Sequence, residues 1–365
     1  MPHRLTAASA LLLATAPLRA QPDTDPAAGD LAAVADAAPA APAARPWALT
    51  VISENDSPYY KWNSSDRYYT NGLAVSFAHQ PRWAEDLAPY VPFAEQFGPA
   101  RTAAGYVAGQ LIFTPDDITA EVPDPADRPY AGYLFGGVYW QRQSTGDAVP
   151  TLDHIQLDLG VVGPSSFAEG AQRNIHNVFG GDEPNGWDAQ LRDEPTAQLT
   201  VRKKWRLDVL TPEPDADGLA SFGVQIIPDA GVTVGNVWRY AELGATARLG
   251  VNLPDDFGPA RINNLASFTG AQKGDGRWSA YIFGRATGRA VEHDLTLEGN
   301  SYKDSASVDA EPLVGELQAG FEVAYQWQHS AFTLGYSQTF LTEQFEGQDG
   351  WHSFGAYVLR FVTRF

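Results

Sequence analysis

The 365-residue chain contains no cysteine, so no disulfide framework can support its fold. Basic residues are also scarce: 25 Lys and Arg stand against 44 Asp and Glu, which gives a formal net charge of −19 at pH 7. This charge argues against a nucleic-acid partner and disfavours an anionic surface unless cations mediate the contact. Beyond the N-terminus no segment has about 18 consecutive apolar residues, which excludes a transmembrane helix.

The N-terminus has the pattern of a secretory signal peptide. A basic start that includes Arg4 precedes an apolar run from Leu5 to Pro17, and we expect cleavage after Ala20. Residues 21–46 are mainly Ala, Pro and Asp, so we expect a flexible lead-in that cannot form a core. The folded part of this exported protein should therefore be residues 47–365.

Aromatic residues make up 12% of the chain, and many later segments alternate apolar and polar side chains. In residues 153–162, Ile155 and Leu157 share one face of an extended strand, and His154 and Gln156 share the other. An apolar outer face, a polar inner face and aromatics near the strand ends are typical of a transmembrane β-barrel. A soluble β-sandwich is the alternative, but it would expose too many large apolar side chains.

We therefore predict an all-β fold: a transmembrane antiparallel up-and-down barrel of about twelve strands, with a short helix in an extracellular loop. The predicted strands lie near residues 47–55, 69–80, 104–114, 131–142, 152–162, 196–208, 221–236, 238–252, 277–291, 313–327, 331–341 and 353–365. The last strand ends on Phe365, which resembles the assembly signal of bacterial outer-membrane barrels.

An even number of strands places both chain ends in the periplasm. The predicted outer loops are 56–68, 115–130, 163–195, a tight turn at Gly235 and Asn236, 292–312 and 342–352. The long connections 81–103 and 253–276 should then be periplasmic.

The third outer loop is predicted to contain a helix over residues 167–180. Ser166 should cap it, with Glu169 as the reciprocal partner. Five apolar residues recur at helical spacing: Phe167, Ala171, Ile175, Val178 and Phe179. Beside them Gln172 and His176 form a polar stripe with Glu169. His176 can act as a base near neutral pH, although an ordinary surface histidine fits the same pattern.

Five polar clusters without strand periodicity all fall at the outer ends of the first six strands. They are Glu54-Asn55-Asp56, residues 66–72, residues 114–117, residues 127–132, and Gln172 with His176 and Asp182. Nothing comparable occurs in the second half of the sequence. This segregation favours one site at the outer rim, on one side of the barrel.

These clusters, in this order, resemble the lipid A 3′-O-deacylase (LpxR) family. The resemblance runs from about residue 50 to 200. The motifs that carry it are Asn55-Asp56, Asp66 with residues 69–72, Thr114-Pro115, residues 127–132, Gly163-Pro164 with Gln172 and His176, and Gly186-Trp187-Asp188 with Gln190. It implies a twelve-stranded outer-membrane barrel. It also implies Ca²⁺-dependent hydrolysis that removes the 3′-linked acyloxyacyl chain of lipid A, the anchor of lipopolysaccharide.

The resemblance places the catalytic residues of the family on particular positions of this sequence. They are His176, Asn55, Asp56, Thr70 and Gln172. The metal ligands would be Asp56, Asp182 and Thr70. His176 would take a proton from water while Gln172 or a carboxylate fixes its tautomer, and the oxygen ligands suit Ca²⁺, which would polarise the ester carbonyl.

Some family members have a Lys-Arg pair in the second outer loop, where this chain has Thr119-Ala120-Glu121. Contacts to the lipid A phosphates would then depend on Arg67, Arg128 or Arg173. We therefore expect Arg67, Arg128 and Tyr130 to bind substrate. Arginines beside aspartates at a rim more often form structural ion pairs than substrate contacts, and Tyr130 is most simply an interfacial aromatic.

Two other functions remain open at this stage. An outer-membrane phospholipase would use the same base and ion on a glycerophospholipid. A non-catalytic barrel, either a porin or a lipid-binding relative, would need no base at all. In each case we expect a monomer in the bacterial outer membrane, and for the enzyme an active site that faces the outer leaflet.

Overall fold

The computed structural model describes residues 45–57, 67–91, 100–144, 149–210, 222–268 and 277–364. Its strands are β1 (Pro46–Asn55), β2 (Tyr68–His79), β3 (Ala100–Thr114), β4 (Ala131–Ser144), β5 (Thr151–Val162), β6 (Glu194–Trp205), β7 (Leu207–Leu210), β8 (Phe222–Gly235), β9 (Trp238–Val251), β10 (Arg277–Asp294), β11 (Leu313–Trp327), β12 (Ser330–Leu341) and β13 (His352–Arg364). Its α-helices are α1 (Arg82–Leu87), α2 (Ala168–Phe179) and α3 (Leu295–Glu298). The signal peptide, nearly all of the lead-in and Phe365 lie outside the described residues.

The strands form one closed antiparallel barrel. Apart from β6 and β7, strands that are consecutive in sequence pair with each other, and β1 also pairs with β13. The segments β6 and β7 are separated by Arg206 alone and both pair with β8, so they are two parts of one barrel strand. The thirteen segments therefore make twelve barrel strands, which confirms the predicted fold class.

The two faces of the wall follow the predicted alternation. Leu157 and Leu159 are 43% and 58% exposed on the outside, whereas Gln156 and Asp158 are buried in the lumen. Within the described residues, no helix is long and apolar enough to cross a membrane. The outer face of the strands suits a lipid bilayer because its exposed side chains are largely apolar.

The predicted helix in the third outer loop is confirmed as α2, but the predicted capping box is wrong. Phe167 is the N-cap residue, in a left-handed conformation with φ 59°. The Ser166 hydroxyl instead donates to the Gly163 carbonyl at 2.6 Å, because Ser166 belongs to a preceding 3-10 turn. Glu169 forms an ion pair with Arg173 one turn later.

The long 253–276 connection departs from the expected periplasmic loop. Its described part, residues 253–268, folds back into the lumen, and we call this segment the lumenal hairpin. The main chains of Arg261 and Asn264 exchange hydrogen bonds of 2.9 and 3.0 Å and form its tight turn. The Arg202 and Arg360 side chains, from opposite parts of the wall, donate to hairpin carbonyls. A charged lumen requires such partners, and the hairpin provides them.

Alternating charges connect the hairpin to the lumenal wall. Arg261 pairs with Glu316 at 2.7 Å, and the other oxygen of Glu316 accepts from Arg289 at 2.8 Å. Arg289 in turn contacts Glu242, which also pairs with Arg202. Each buried charge thus faces an opposite one, and removal of one member would leave a buried unpaired ion.

The outward face of β13 provides a test of the barrel. Leu359 lies near the middle of the strand, between Val51 of β1 and Leu334 of β12. Leu359→Arg should destabilise the barrel by about 2–4 kcal/mol, because a cation near the bilayer midplane is poorly solvated. The measurement is reversible denaturant unfolding in phospholipid vesicles, with Leu359→Ala as the size control. Equal stability of the two variants would contradict this orientation of the strand.

Candidate active site

Helix α2 lies against the outer wall of the barrel, over β3 and β4. Ala168 is buried with Ile112 of β3 and with Tyr130 and Trp187 of the neighbouring loops. The Gln110 side-chain amide, also on the outer face of β3, donates to the Ser166 carbonyl at 2.6 Å. The helix is therefore held by the barrel at the outer end of these strands.

Only part of the predicted apolar face of α2 contacts the barrel. Ala171 packs against the cluster around Ile112, but Phe167 and Val178 are 72% and 74% exposed. Small side chains face the wall because the helix approaches it closely. Phe167 and Val178 are thus open to an apolar partner.

His176 is oriented by the main chain of the loop that follows the helix. Its Nδ1 lies 2.6 Å from the Asp182 carbonyl oxygen. Because a carbonyl can only accept, Nδ1 carries the hydrogen, and in the neutral ring Nε2 is then the basic nitrogen. The Asp182 main-chain carbonyl thus fixes this tautomer, a partner that we did not expect for His176.

Gln172 is buried one turn before His176. Its Oε1 accepts a hydrogen bond of 2.8 Å from the indole nitrogen of Trp187, a residue that the sequence motif contained but to which we assigned no role. The side-chain nitrogen of Gln172 is buried and has no hydrogen-bond partner among the described residues. A buried donor in this state costs about 1–3 kcal/mol unless a ligand or water accepts from it.

The outer ends of β1, β2 and β3 bring the predicted rim residues together. Asp56 Oδ2 accepts from the Arg67 amide at 2.7 Å, and the Asp56 amide donates to the Thr70 carbonyl at 3.3 Å. A β-bulge at Thr70 places its hydroxyl 2.7 Å from the hydroxyl of Thr114, which belongs to the sequence motif but to which we assigned no role. Asn55 Oδ1 accepts from the Ser57 amide.

Strand β3 connects this rim cluster with the helix. Thr114 and Ile112 are two residues apart on the same outward face, so their Cα atoms are about 7 Å apart. Ile112 packs against Ala168 at the start of α2. The rim hydroxyls and α2 therefore occupy neighbouring positions on one side of the barrel.

Two residues that we expected to bind substrate are buried instead. Arg128 is 1% exposed, lies 4.7 Å over the Phe113 ring and donates to Thr296 Oγ1 at 3.1 Å. Burial lowers the pKa of Arg128 to about 10, against the opposing effect of Asp294. Tyr130 is also 1% exposed, and its hydroxyl donates to the Ile118 carbonyl. Both side chains hold the outer loops together.

The other two arginines at the rim are partly exposed and paired. Arg67 contacts the Asp116 carboxylate at 2.9 Å, and Asp66 beside it lies outside the described residues. Arg173 forms ion pairs with Glu169 and Glu183. A phosphate would therefore have to compete with carboxylates for either cation.

The predicted metal ligands are only partly assembled. Asp56 and Thr70 are joined through their main chains, and a carboxylate and a hydroxyl are oxygen donors of the kind that suit Ca²⁺. Asp182 contributes its main-chain carbonyl to His176, and its side chain is exposed. In the described segments, no three His, Cys, Asp or Glu side chains form a metal-binding group. Main-chain carbonyls and water would have to complete the shell.

A family profile and one solved structure agree with this architecture. The profile of the family described as "Outer membrane protein LpxR" matches residues 11–363. LpxR from Salmonella typhimurium is similar in structure, with 19% identity and a TM-score of 0.66, over 86% of this chain and 99% of that one. The translocator domain of the autotransporter NalP from Neisseria meningitidis has 10% identity and a TM-score of 0.40, over 88% and 89%. No curated protein matches.

The docking of α2 can be tested through a glycine on the outer face of β4. A Cβ on Gly132 would lie 2.1 Å from Ser166 Oγ and 2.2 Å from the Ala168 Cβ. Gly132→Ala should therefore displace the start of the helix and raise hydrogen exchange and proteolysis across residues 164–179. Gly136→Ala is the control, because a Cβ at this position on the same face has its nearest neighbour 3.9 Å away. Identical exchange in both variants would show that α2 is not seated on the wall.

Proposed function

Because this chain belongs to the LpxR family of bacterial outer-membrane proteins, we propose that it is a lipid A deacylase that removes the 3′-linked acyloxyacyl chain. The observation that carries the proposal is His176, a base of defined tautomer on a helix seated on the outer wall beside the rim cluster. This position is level with the outer ends of the strands, where the head group of an outer-leaflet lipid and its ester bonds would lie.

The proposed reaction is hydrolysis of an ester by water. His176 Nε2 accepts a proton as the water oxygen forms its bond to the ester carbonyl carbon. The tetrahedral intermediate then collapses, the bond to the sugar oxygen breaks, and the imidazolium returns the proton to that oxygen. The Asp182 carbonyl, which accepts from Nδ1, stabilises the imidazolium between the two steps.

The negative charge that develops on the carbonyl oxygen needs donors. We assign this role to the side-chain amide of Gln172, whose oxygen is already held by Trp187 and whose nitrogen is a buried donor. The hydroxyls of Thr70 in β2 and of Thr114 at the end of β3 are further donors on the same side of the barrel. Asn55 and Asp56 form the turn that positions them.

We further propose that the enzyme depends on Ca²⁺, with Asp56 and Thr70 among its ligands. When bound, calcium would polarise the ester carbonyl and reduce the repulsion between acidic loops and an anionic lipid.

All the residues assigned to the site come from one chain, so we propose that the monomer is the active form. A porin-like function is less compatible with the lumen, because the described residues 253–268 lie inside it and accept hydrogen bonds from opposite parts of the wall.

The direct test is mass spectrometry of lipid A and phospholipids from bacteria that express the protein and from bacteria that lack it. We expect loss of the 3′-linked acyloxyacyl chain and an unchanged phospholipid profile. Intact lipid A together with free fatty acid and lysophospholipid would instead identify a phospholipase. No change in either lipid class would indicate that the barrel is not catalytic.

Substitutions of His176 and Asp56 distinguish the role of the base from that of the metal ligand. His176→Gln should lower kcat by about 10²–10⁴-fold, because proton transfer by the side chain is lost. Asp56→Asn should have a similar effect on activity but should also weaken Ca²⁺ binding, which His176→Gln should preserve. Purified variants in detergent are assayed for deacylation with Ca²⁺ and with a chelator, and for calcium affinity by calorimetry. The exposed His329, at the turn between β11 and β12, supplies the control His329→Gln. Full wild-type activity in chelator would refute the calcium requirement.

A further inference from the structure

Two lumenal side chains directly precede the residues of the proposed site. Glu54 comes before Asn55 and Asp56 at the end of β1, and Tyr69 comes before Thr70 in β2. The Tyr69 hydroxyl donates to Glu54 Oε2 at 2.7 Å, and both residues are buried. The two stretches that carry the rim cluster are therefore joined from inside the barrel.

The remaining partners of Glu54 come from the lumenal hairpin. Arg261 approaches Glu54 Oε1 with Nε at 3.2 Å and Oε2 with Nη2 at 3.4 Å. The amide of Ile262 donates to Oε1 at 3.2 Å. The third nitrogen of Arg261 holds Glu316 of β11, and its guanidinium lies over the Phe354 ring of β13. The hairpin thus enters from the far end of the barrel and reaches the base of the rim.

These contacts have a consequence on the outer face because strand side chains alternate. Fixing Glu54 inside the lumen fixes the main chain from which Asn55 and Asp56 extend. Fixing Tyr69 does the same for Thr70, which lies in a bulge where the regular ladder is interrupted. At a bulge the regular ladder of hydrogen bonds between strands is interrupted and holds the backbone less firmly. The contact between Tyr69 and Glu54 supplies a further restraint at this point.

We propose that Arg261 is a positioning residue for the active site. Together with Glu54 and Tyr69 it forms a lumenal clamp that sets the distance between the Asn55-Asp56 turn and the Thr70 hydroxyl. The catalytic consequence rests on the proposed function, whereas the structural consequence does not. Arg261 touches no reacting atom and acts only through the backbone of β1 and β2.

A general role in barrel stability is the competing explanation, and the lumen offers a matched control for it. Arg285 and Asp229 form another buried ion pair, with side-chain exposures of 6% and 0% against 6% and 2% for Arg261 and Glu54. This pair joins β10 and β8 and contacts none of the site residues. Arg285→Met therefore removes a comparable charge at a different place.

The experiment compares Arg261→Met, Arg261→Lys and Arg285→Met in the full-length protein. Folding is followed by heat-dependent gel mobility and by thermal unfolding. Hydrogen exchange is measured over residues 53–57 and 67–72, and deacylation is measured as kcat and KM. We expect Arg261→Met to raise rim exchange and to lower kcat by about 10–100-fold with KM changed less than about threefold. Arg261→Lys should partly restore the protection of the rim from exchange and partly restore kcat. Lysine keeps the positive charge but lacks the planar guanidinium that binds a carboxylate through two nitrogens.

The possible outcomes separate the clamp from the proposed function. If the wild type deacylates lipid A and Arg261→Met matches Arg285→Met in exchange and kcat, the clamp is overturned. If the wild type has no deacylase activity, the proposed function fails and exchange alone decides: a rise confined to the Arg261 variants supports the clamp, and no rise overturns it. If Arg261→Met does not fold, Arg261→Lys is judged by the same criteria against Arg285→Lys.

Discussion

Every main-chain amide and carbonyl that faces hydrocarbon must find its partner within the protein, and the rest of this structure depends on that constraint. The pairing of β1 with β13, and of β8 with both β6 and β7, closes the sheet and removes its edges. Closure sends alternate side chains into a lumen of fixed width. The polar residues placed there then need partners of their own, which the lumenal hairpin and the alternating chain of ion pairs provide.

The proposed active site occupies the place where the outer face changes its chemistry. Along β3 this face is apolar in the bilayer region, and it ends in Ile112 and Thr114. Ile112 anchors α2, and Thr114 joins the hydroxyl of Thr70. A rigid wall therefore supports a base on one side and oxygen donors on the other, at the height of a lipid head group. The catalytic machinery requires no opening through the barrel.

Much of this could be predicted from local patterns. Alternation with a period of two is a property of the extended backbone, so it located all twelve barrel strands within a few residues. Helical spacing located α2 for the same reason. The clustering of polar residues at the outer strand ends grouped Asp56 with Thr70, and the main chains of these two residues share a hydrogen bond. Because these signals depend on neighbouring residues in the chain, folding does not alter them.

Tertiary structure alone decided what each polar group contacts. The sequence determined the barrel, the helix and the membership of the family, but it could not show that Arg128 and Tyr130 are buried or that Asp182 serves His176 through its carbonyl. It also could not show that residues 253–268 enter the lumen. Arg261 meets Glu54 across 207 positions of sequence, and such a contact leaves no periodicity in either segment. It arises only when closure of the barrel brings a buried carboxylate and a buried guanidinium into the same enclosed space, where each is stable only beside the other.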